Sequence, residues 1–255
     1  MDQPKDTRKL MQNDLWRDMR DMHTDQQQRI PPPPLEQPYP ADAKLIDLPA
    51  PDSLTLGNLT VREAIAQRRS HRRFTEEPLS LQELAYLAWA TQGVHEVWRS
   101  GIAVRRTVPS AGARHPFESY LVVHRVAGLA VGLYRYLSLE HKLLLLKQDV
   151  ALPTRAAAAC HDQSFVAAAA VTFIWTAIPY RTEWRYALMT PKLVTLDAGH
   201  VCENLYLAAE SIGAGTCAIA AYNQVALDEL LEVDGEDEFA IYVAPVGKVA
   251  DQHRS

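Results

Sequence analysis

Six consecutive residues, Arg68-Arg69-Ser70-His71-Arg72-Arg73, set four guanidinium groups and a hydroxyl where a short helical pattern gives way to a loop. A phosphate monoester needs fixed donors around it, and the planar fork of arginine supplies them in pairs. An amphipathic helical stretch follows, and then a second loop, Pro109-Ser110-Ala111-Gly112-Ala113. Its small residues and hydroxyl suit a backbone that lies against a flat ligand. Taken together, the two segments suggest a bound, phosphorylated, planar cofactor. Either alone has an ordinary reading, the first as a solvated arginine face and the second as a turn.

Other chemistries lack their residues. No G-x-G-x-x-G opens a helix after a strand; Gly213-Ala214-Gly215 follows a helical pattern instead, which speaks against a nicotinamide Rossmann site. There is no Walker lysine loop, no H-E-x-x-H and no G-x-S-x-G elbow. His200 and Glu203 stand three apart on a helical pattern, but no second such pair completes a carboxylate-bridged metal site, so no metal is expected. Cys202 and Cys217 read as small buried residues. Asp197 reads as a helix cap or ion-pair partner, and His200 as a packed, hydrogen-bonded side chain. The chemistry is expected to come from a cofactor.

The elements that must hold these residues can be read in part. Thr60 with Glu63 forms a capping box for a helix through Ala66, and Ser80 with Glu83 forms another for a helix to Gln92, ended by Gly93. Strands are predicted over Ser119–Arg125, Gly132–Tyr136 and Lys142–Lys147, the last two forming a hairpin. An alanine-rich helix covers about 150–160. Ala168–Ile178 is a nearly continuous apolar run, as in a strand covered on both faces. Helices dominate 181–212, keeping a helical period at Val201, Leu205, Ala208 and Ala209 up to Gly213. A strand over Thr216–Ala221, a helix over Val225–Leu231 and a strand over Phe239–Val246 complete the chain. This order predicts an α+β fold, a mixed, mainly antiparallel sheet packed by helices.

Residues 1–53 differ in kind. A weak helical pattern at Leu10, Leu15, Met19 and Met22 gives way to Pro31–Pro34, followed by Pro38, Pro40, Pro49 and Pro51. Such an arm has little capacity to pack on its own and is either a flexible tail or a strap across a partner subunit. The folded domain is expected to cover 54–255.

The totals bound the partners. With 255 residues, 47% hydrophobic and 22% charged, the chain can bury a real core. A net charge of −5 disfavours nucleic acid or an anionic membrane as the main partner, which makes the basic cluster a local site for a small anion. Three unclustered cysteines and a polar, glutamine-rich start fit a reducing, cytoplasmic setting without a signal peptide.

From about residue 55 to 249 the motif order resembles the flavin-dependent nitroreductase family, and most of all its SagB-type dehydrogenase branch. The matching pieces are Arg68-Arg69-Ser70-x-Arg72-x-Phe74, Leu84-x-x-Leu87-x-Trp89-Ala90-x-x-Gly93 and Arg105-Arg106-x-x-Pro109-Ser110-Ala111-Gly112-Ala113-x-x-Pro116-x-Glu118. Gly132-Leu133-Tyr134, Asp197-Ala198-Gly199-His200-x-x-x-Asn204-Leu205, Gly213-Ala214-Gly215-Thr216 and Pro245-Val246-Gly247 follow in order. The resemblance implies an FMN-dependent oxidoreductase, an interlocked homodimer with two interface sites, that moves a hydride between NAD(P)H or a small-molecule or peptide substrate and an acceptor. It implies that Arg68, Arg69 and Ser70 hold the phosphate and ribityl end and that Arg72 lies near the pyrimidine edge. Pro109, Ser110, Ala111 and Gly112 would reach the flavin from the other subunit, Gly213, Gly215 and Thr216 would border N5, and Lys248 would join the cofactor set. Members that oxidise azoline rings resemble one another in a Lys-Tyr pair. Here Arg185-Tyr186 corresponds, which weakens the azoline reading because arginine does not serve as a base, and leaves Tyr186 as the catalytic candidate. The alternative implied is a non-catalytic flavin-binding or partner-docking subunit of a biosynthetic complex.

Overall fold

The computed structural model describes residues 8–12, 16, 22–98 and 101–250. Both capping boxes form. Thr60 Oγ1 accepts from Glu63 N at 3.2 Å and starts helix α1 (Val61–Gln67), while Ser80 Oγ accepts from Glu83 N at 3.1 Å and starts α2 (Leu81–Gln92), which Gly93 ends.

Seven strands make the main sheet: β1 (Leu45–Asp47), β4 (Phe117–Val123), β5 (Gly132–Leu137), β6 (Lys142–Gln148), β7 (Val171–Ala177), β8 (Ala214–Thr216) and β9 (Phe239–Lys248), in the order β1-β6-β5-β4-β7-β9-β8. Every pairing between these strands is antiparallel. Helices α3 (Leu152–Ala159), α4 (Ser164–Ala167), α5 (Tyr180–Tyr186), α6 (Thr190–Ser211) and α7 (Gln224–Leu231) complete an α+β fold of a mainly antiparallel sheet packed by helices.

Alternation along the central strands divides the core. Leu121, Val123, Phe173, Trp175 and Ala244 pack with α2 and α6, while Tyr120, Val122, Ile174 and Val243 pack with α3 and α7. A strand covered on both faces gains from apolar residues at every position, which is why all seven residues of β7 are buried.

The structure departs from expectation at four places. Val94–Trp98 (β2) and Ala103–Arg106 (β3) form a separate antiparallel hairpin that was not expected. β4 ends at Val123, because the His124 and Arg125 amides both turn to Ala170 O. The strand expected over Thr216–Ala221 is β8, shifted to Ala214–Thr216, with Ile219 as a single bridge to Val243. The position after Thr216 faces Pro245, which has no N–H for a ladder bond. Last, residues from Thr24 onward lie on their own chain. Gln26 N donates to Trp184 O at 2.9 Å, Trp184 Nε1 donates to Ile30 O at 2.9 Å, and Leu45–Asp47 adds a strand beside β6. Leu15 and Met19 of the expected N-terminal pattern lie outside the described residues.

Candidate functional site

The arginine run leaves α1 and is stitched to β8. Ser70 and Thr216 form a single parallel bridge, and His71 N donates to Thr216 O at 2.9 Å. The Arg68 guanidinium lies 5.3 Å from the centre of the Tyr206 ring, and Ser70 Oγ is 3.1 Å from Tyr206 Oη. Tyr206 Oη accepts from Ala218 N at 2.8 Å, so one tyrosine of α6 holds both segments. Arg69 folds back, donating through Nη1 to the carbonyls of Ala66, Gln67 and Arg68 at the end of α1. Arg72 stands 6.0 Å from the Phe165 ring, and its charge opposes the upward push that burial gives the Cys217 thiol.

The glycines beside this run differ in use. Gly213, with φ +67°, is exposed, and nothing lies within 4 Å of where a Cβ would stand. Gly215 is buried, and a Cβ there would lie 2.6 Å from the His71 ring. Its missing side chain therefore serves the packing of His71. Thr216 is fully buried and donates through Oγ1 to Pro245 O at 2.9 Å. Lys248 Nζ pairs with Glu83 and donates to Ile212 O at 2.8 Å. A cleft of about 490 Å³ opens among these elements, with Gln67, Arg69, His71, Gly213 and Lys248 in its wall.

The second loop lies elsewhere. Ser110 Oγ donates to Asp197 Oδ2 at 2.5 Å and accepts from His115 N at 2.9 Å, while Ala111 N donates to both Asp197 oxygens at 3.2 Å. Asp197 thus clamps the loop to α6, a role for which the sequence offered a cap or an ion pair. Burial raises its pKa, opposed by the Ser110 and Ala111 hydrogen bonds and by nearby His200. Gly112 adopts φ +58°, and a Cβ there would lie 2.6 Å from Tyr186 Oη and 3.1 Å from Arg185 Cδ. Pro109 is exposed at the edge of the loop.

One chain therefore brings Arg68–Arg72, Gly213–Thr216 and Lys248 together, and separately joins Pro109–Gly112 to Arg185–Tyr186. Asp197 and Tyr206 mark the two places on α6, roughly 13 Å apart at the rise of an α-helix.

Sequence reasoning missed a buried ionic group that braces α5. Arg181 pairs with Glu118 at 2.5 Å, each side chain 2% exposed, and Arg181 Nε donates to Pro34 O at 3.0 Å. Glu118 also accepts from Gln37 N at 2.9 Å, and Glu36 accepts from Ser138 N at 2.6 Å. Burial, with the Glu118 charge next, raises the Glu36 pKa. A charged pair hidden inside α5 and β4 leaves no periodic trace; polar residues at otherwise apolar positions were the available sign.

Comparison with known proteins agrees with this architecture. Residues 65–248 match the profile described as the nitroreductase family. The Methanocaldococcus jannaschii protein MJ1384, provisionally named a nitroreductase, is 32% identical over 191 residues, 74% of this chain and 91% of that protein. The trifolitoxin-processing protein TfxB of Rhizobium leguminosarum bv. trifolii is 28% identical over 178 residues, 67% of this chain but only 46% of TfxB. The crystal structure of a provisionally named nitroreductase from Ralstonia eutropha JMP134 superposes with a TM-score of 0.67 at 26% identity, covering 87% of this chain and 95% of that one. With the match spanning both cofactor-type segments and the helix that separates them, the chain belongs to the nitroreductase family.

Proposed function

We propose that the protein is a cytoplasmic, FMN-dependent oxidoreductase of the SagB-type dehydrogenase branch that works as a homodimer. It moves a hydride between NAD(P)H or an organic substrate and an acceptor. The observation that carries this reading is the cleft of about 490 Å³ at Arg69, His71 and Gly213, with Arg68 and Ser70 beside it and an open Cβ position at Gly213. These residues fit a phosphorylated planar cofactor: guanidinium and hydroxyl donors suit the phosphate, and a glycine edge admits a ring. Bound FMN would supply the two-electron carrier that the side chains lack.

In this reading Arg68, Arg69 and Ser70 bind the phosphate and ribityl end, and Arg72 favours negative charge at the pyrimidine edge. Gly213, Gly215 and Thr216 supply backbone at the ring. Lys248 contributes charge while held by Glu83. Pro109, Ser110, Ala111 and Gly112 come from a second copy, since one chain keeps them at the far position on α6. Tyr186 gives or orients a proton at the substrate.

The test is the visible spectrum of the purified protein, with mass identification of the released chromophore and anaerobic NAD(P)H addition. A yellow protein that bleaches is expected. Material that stays colourless after reconstitution with excess FMN overturns the proposal. Arg185 in place of lysine favours a second reading, a partner-docking subunit. Turnover across a panel of nitroaromatic and quinone acceptors, with size exclusion of the isolated protein, separates the two.

A further inference from the structure

Arg185 stands out among the guanidinium groups around α5. Arg181, one turn earlier, is paired with Glu118 at 2.5 Å. Arg114 is buried, donates to Arg181 O and Ile102 O at 2.9 Å each, and lies 4.8 Å from the Trp184 ring. Neither of these carbonyl partners carries a counter-charge. Arg185 has its guanidinium 5.4 Å from the centre of the Tyr186 ring and no carboxylate within ion-pair distance among the described residues. The carboxylate that anchors the same loop, Asp197, is already taken by Ser110 and Ala111. Burial first, and the Arg185 charge next, lower the Arg114 pKa, so the two cations share one field. Two cations with no carboxylate partner among the described residues make a local positive site on a protein of net charge −5.

Backbone geometry fixes this site against the second loop. Arg185 Cδ and Tyr186 Oη fill the space that a side chain at Gly112 would need. Directly after them Ala187 adopts φ +41°, ψ −117°, a conformation L-residues rarely hold. The turn ends α5 there and keeps α5 from running straight into α6. Such strain persists where the surrounding structure insists on it, and it gathers at functional sites.

We propose that Arg185 is a specificity-determining residue that seats an oxyanion of the molecule docking against the cofactor, with Tyr186 Oη beside it as a further donor. The guanidinium fork matches a carboxylate in two parallel hydrogen bonds, and the Tyr186 face holds its plane. The substrate class is thus an acid, and the oxyanion is either a carboxylate of the acceptor or a phosphate of the hydride donor. The inference rests on the flavin-oxidoreductase reading.

The experiment compares wild type, R185K and R185Q as full-length, FMN-loaded protein. One arm sets 4-nitrobenzoate against methyl 4-nitrobenzoate; the other sets NADPH and NADH against 1-benzyl-1,4-dihydronicotinamide, which has no phosphate. Calorimetric titration with 4-nitrobenzoate, without any hydride donor, reads binding alone. In R185Q the preference in kcat/KM for the charged over the uncharged partner is expected to fall at least tenfold in one arm, which names the source of the oxyanion, with R185K intermediate. Preferences that stay within twofold of wild type in both arms overturn the inference. If R185Q does not fold, a wild type that shows no preference in either arm overturns it equally. A wild type that reduces neither nitro compound overturns the oxidoreductase reading instead, and calorimetric binding of 4-nitrobenzoate then decides the seat by itself.

Discussion

Arg68 sits where α1 ends, over the Tyr206 ring, and its guanidinium has no carboxylate partner among the described residues. If it grips a phosphate, Arg68→Ala removes a charge-assisted hydrogen bond worth about 1.5–3 kcal/mol, or roughly 10- to 100-fold in FMN affinity. Fluorescence titration with FMN checks this, and unchanged affinity takes Arg68 out of the site. His115 raises a different question. It is buried, with φ +46°, and its pKa is lowered to about 3 by burial, followed by the Arg106 charge. The unfolded chain therefore binds a proton that the folded chain refuses between about pH 6.5 and about pH 3. Stability falls as pH drops through that window, by at most about 1.4 kcal/mol per pH unit. Raised carboxylate pKa values at Glu36, Glu238 and Asp197 act in the opposite sense, so the wild-type curve alone does not isolate His115. His115→Asn, which tolerates the left-handed backbone, isolates it. In urea denaturation from pH 7 to pH 4 the wild type should lose stability relative to the variant, and parallel curves would clear His115 of the effect.

At the scale of elements, α5 carries more than its seven residues suggest. Arg181 binds it to β4 through Glu118, Trp184 binds it to the segment around Ile30, and Arg185 and Tyr186 rest on the Gly112 loop. Removing one partner of a buried ion pair strands the other charge, so Arg181→Met is expected to destabilise the protein by about 3–5 kcal/mol. Urea titration reads this directly; a loss under 1 kcal/mol would mean that water replaces the pair. The same element explains why the proline-rich arm looked unable to pack. Its order comes from distant partners, Arg181 to Pro34 O, Glu118 to Gln37 N and Ser138 to Glu36, and no local pattern announces partners on another element. The capping boxes at Thr60 and Ser80 were legible because every participant lies within four residues.

At the scale of the whole molecule, the two cofactor-type segments occupy separated places on α6, and a single copy does not unite them. The outward face of α6 carries Leu196, Gly199 and His200, and α1 adds Val61 and Ile65, with Leu196 52% and Val61 70% exposed. Apolar residues gathered on exposed faces suit a partner surface. If a second copy covers them, Leu196→Arg should give a monomer that also loses FMN, read by light scattering and flavin release in one experiment. A dimer that keeps its flavin would exclude this face. The sequence by itself determined the helix starts, the doubly covered strand β7, the alternation of strands and helices, and the residue types suited to a phosphate. Each of these is written in local spacing, capping chemistry or a short apolar run. Only the tertiary structure decided that Gly215 serves His71, that Lys248 is held by Glu83, that Asp197 clamps the Ser110 loop and that Arg185 meets no carboxylate among the described residues. Those facts depend on residues far apart in sequence meeting across the sheet and along α6, and local periodicity carries no record of such meetings.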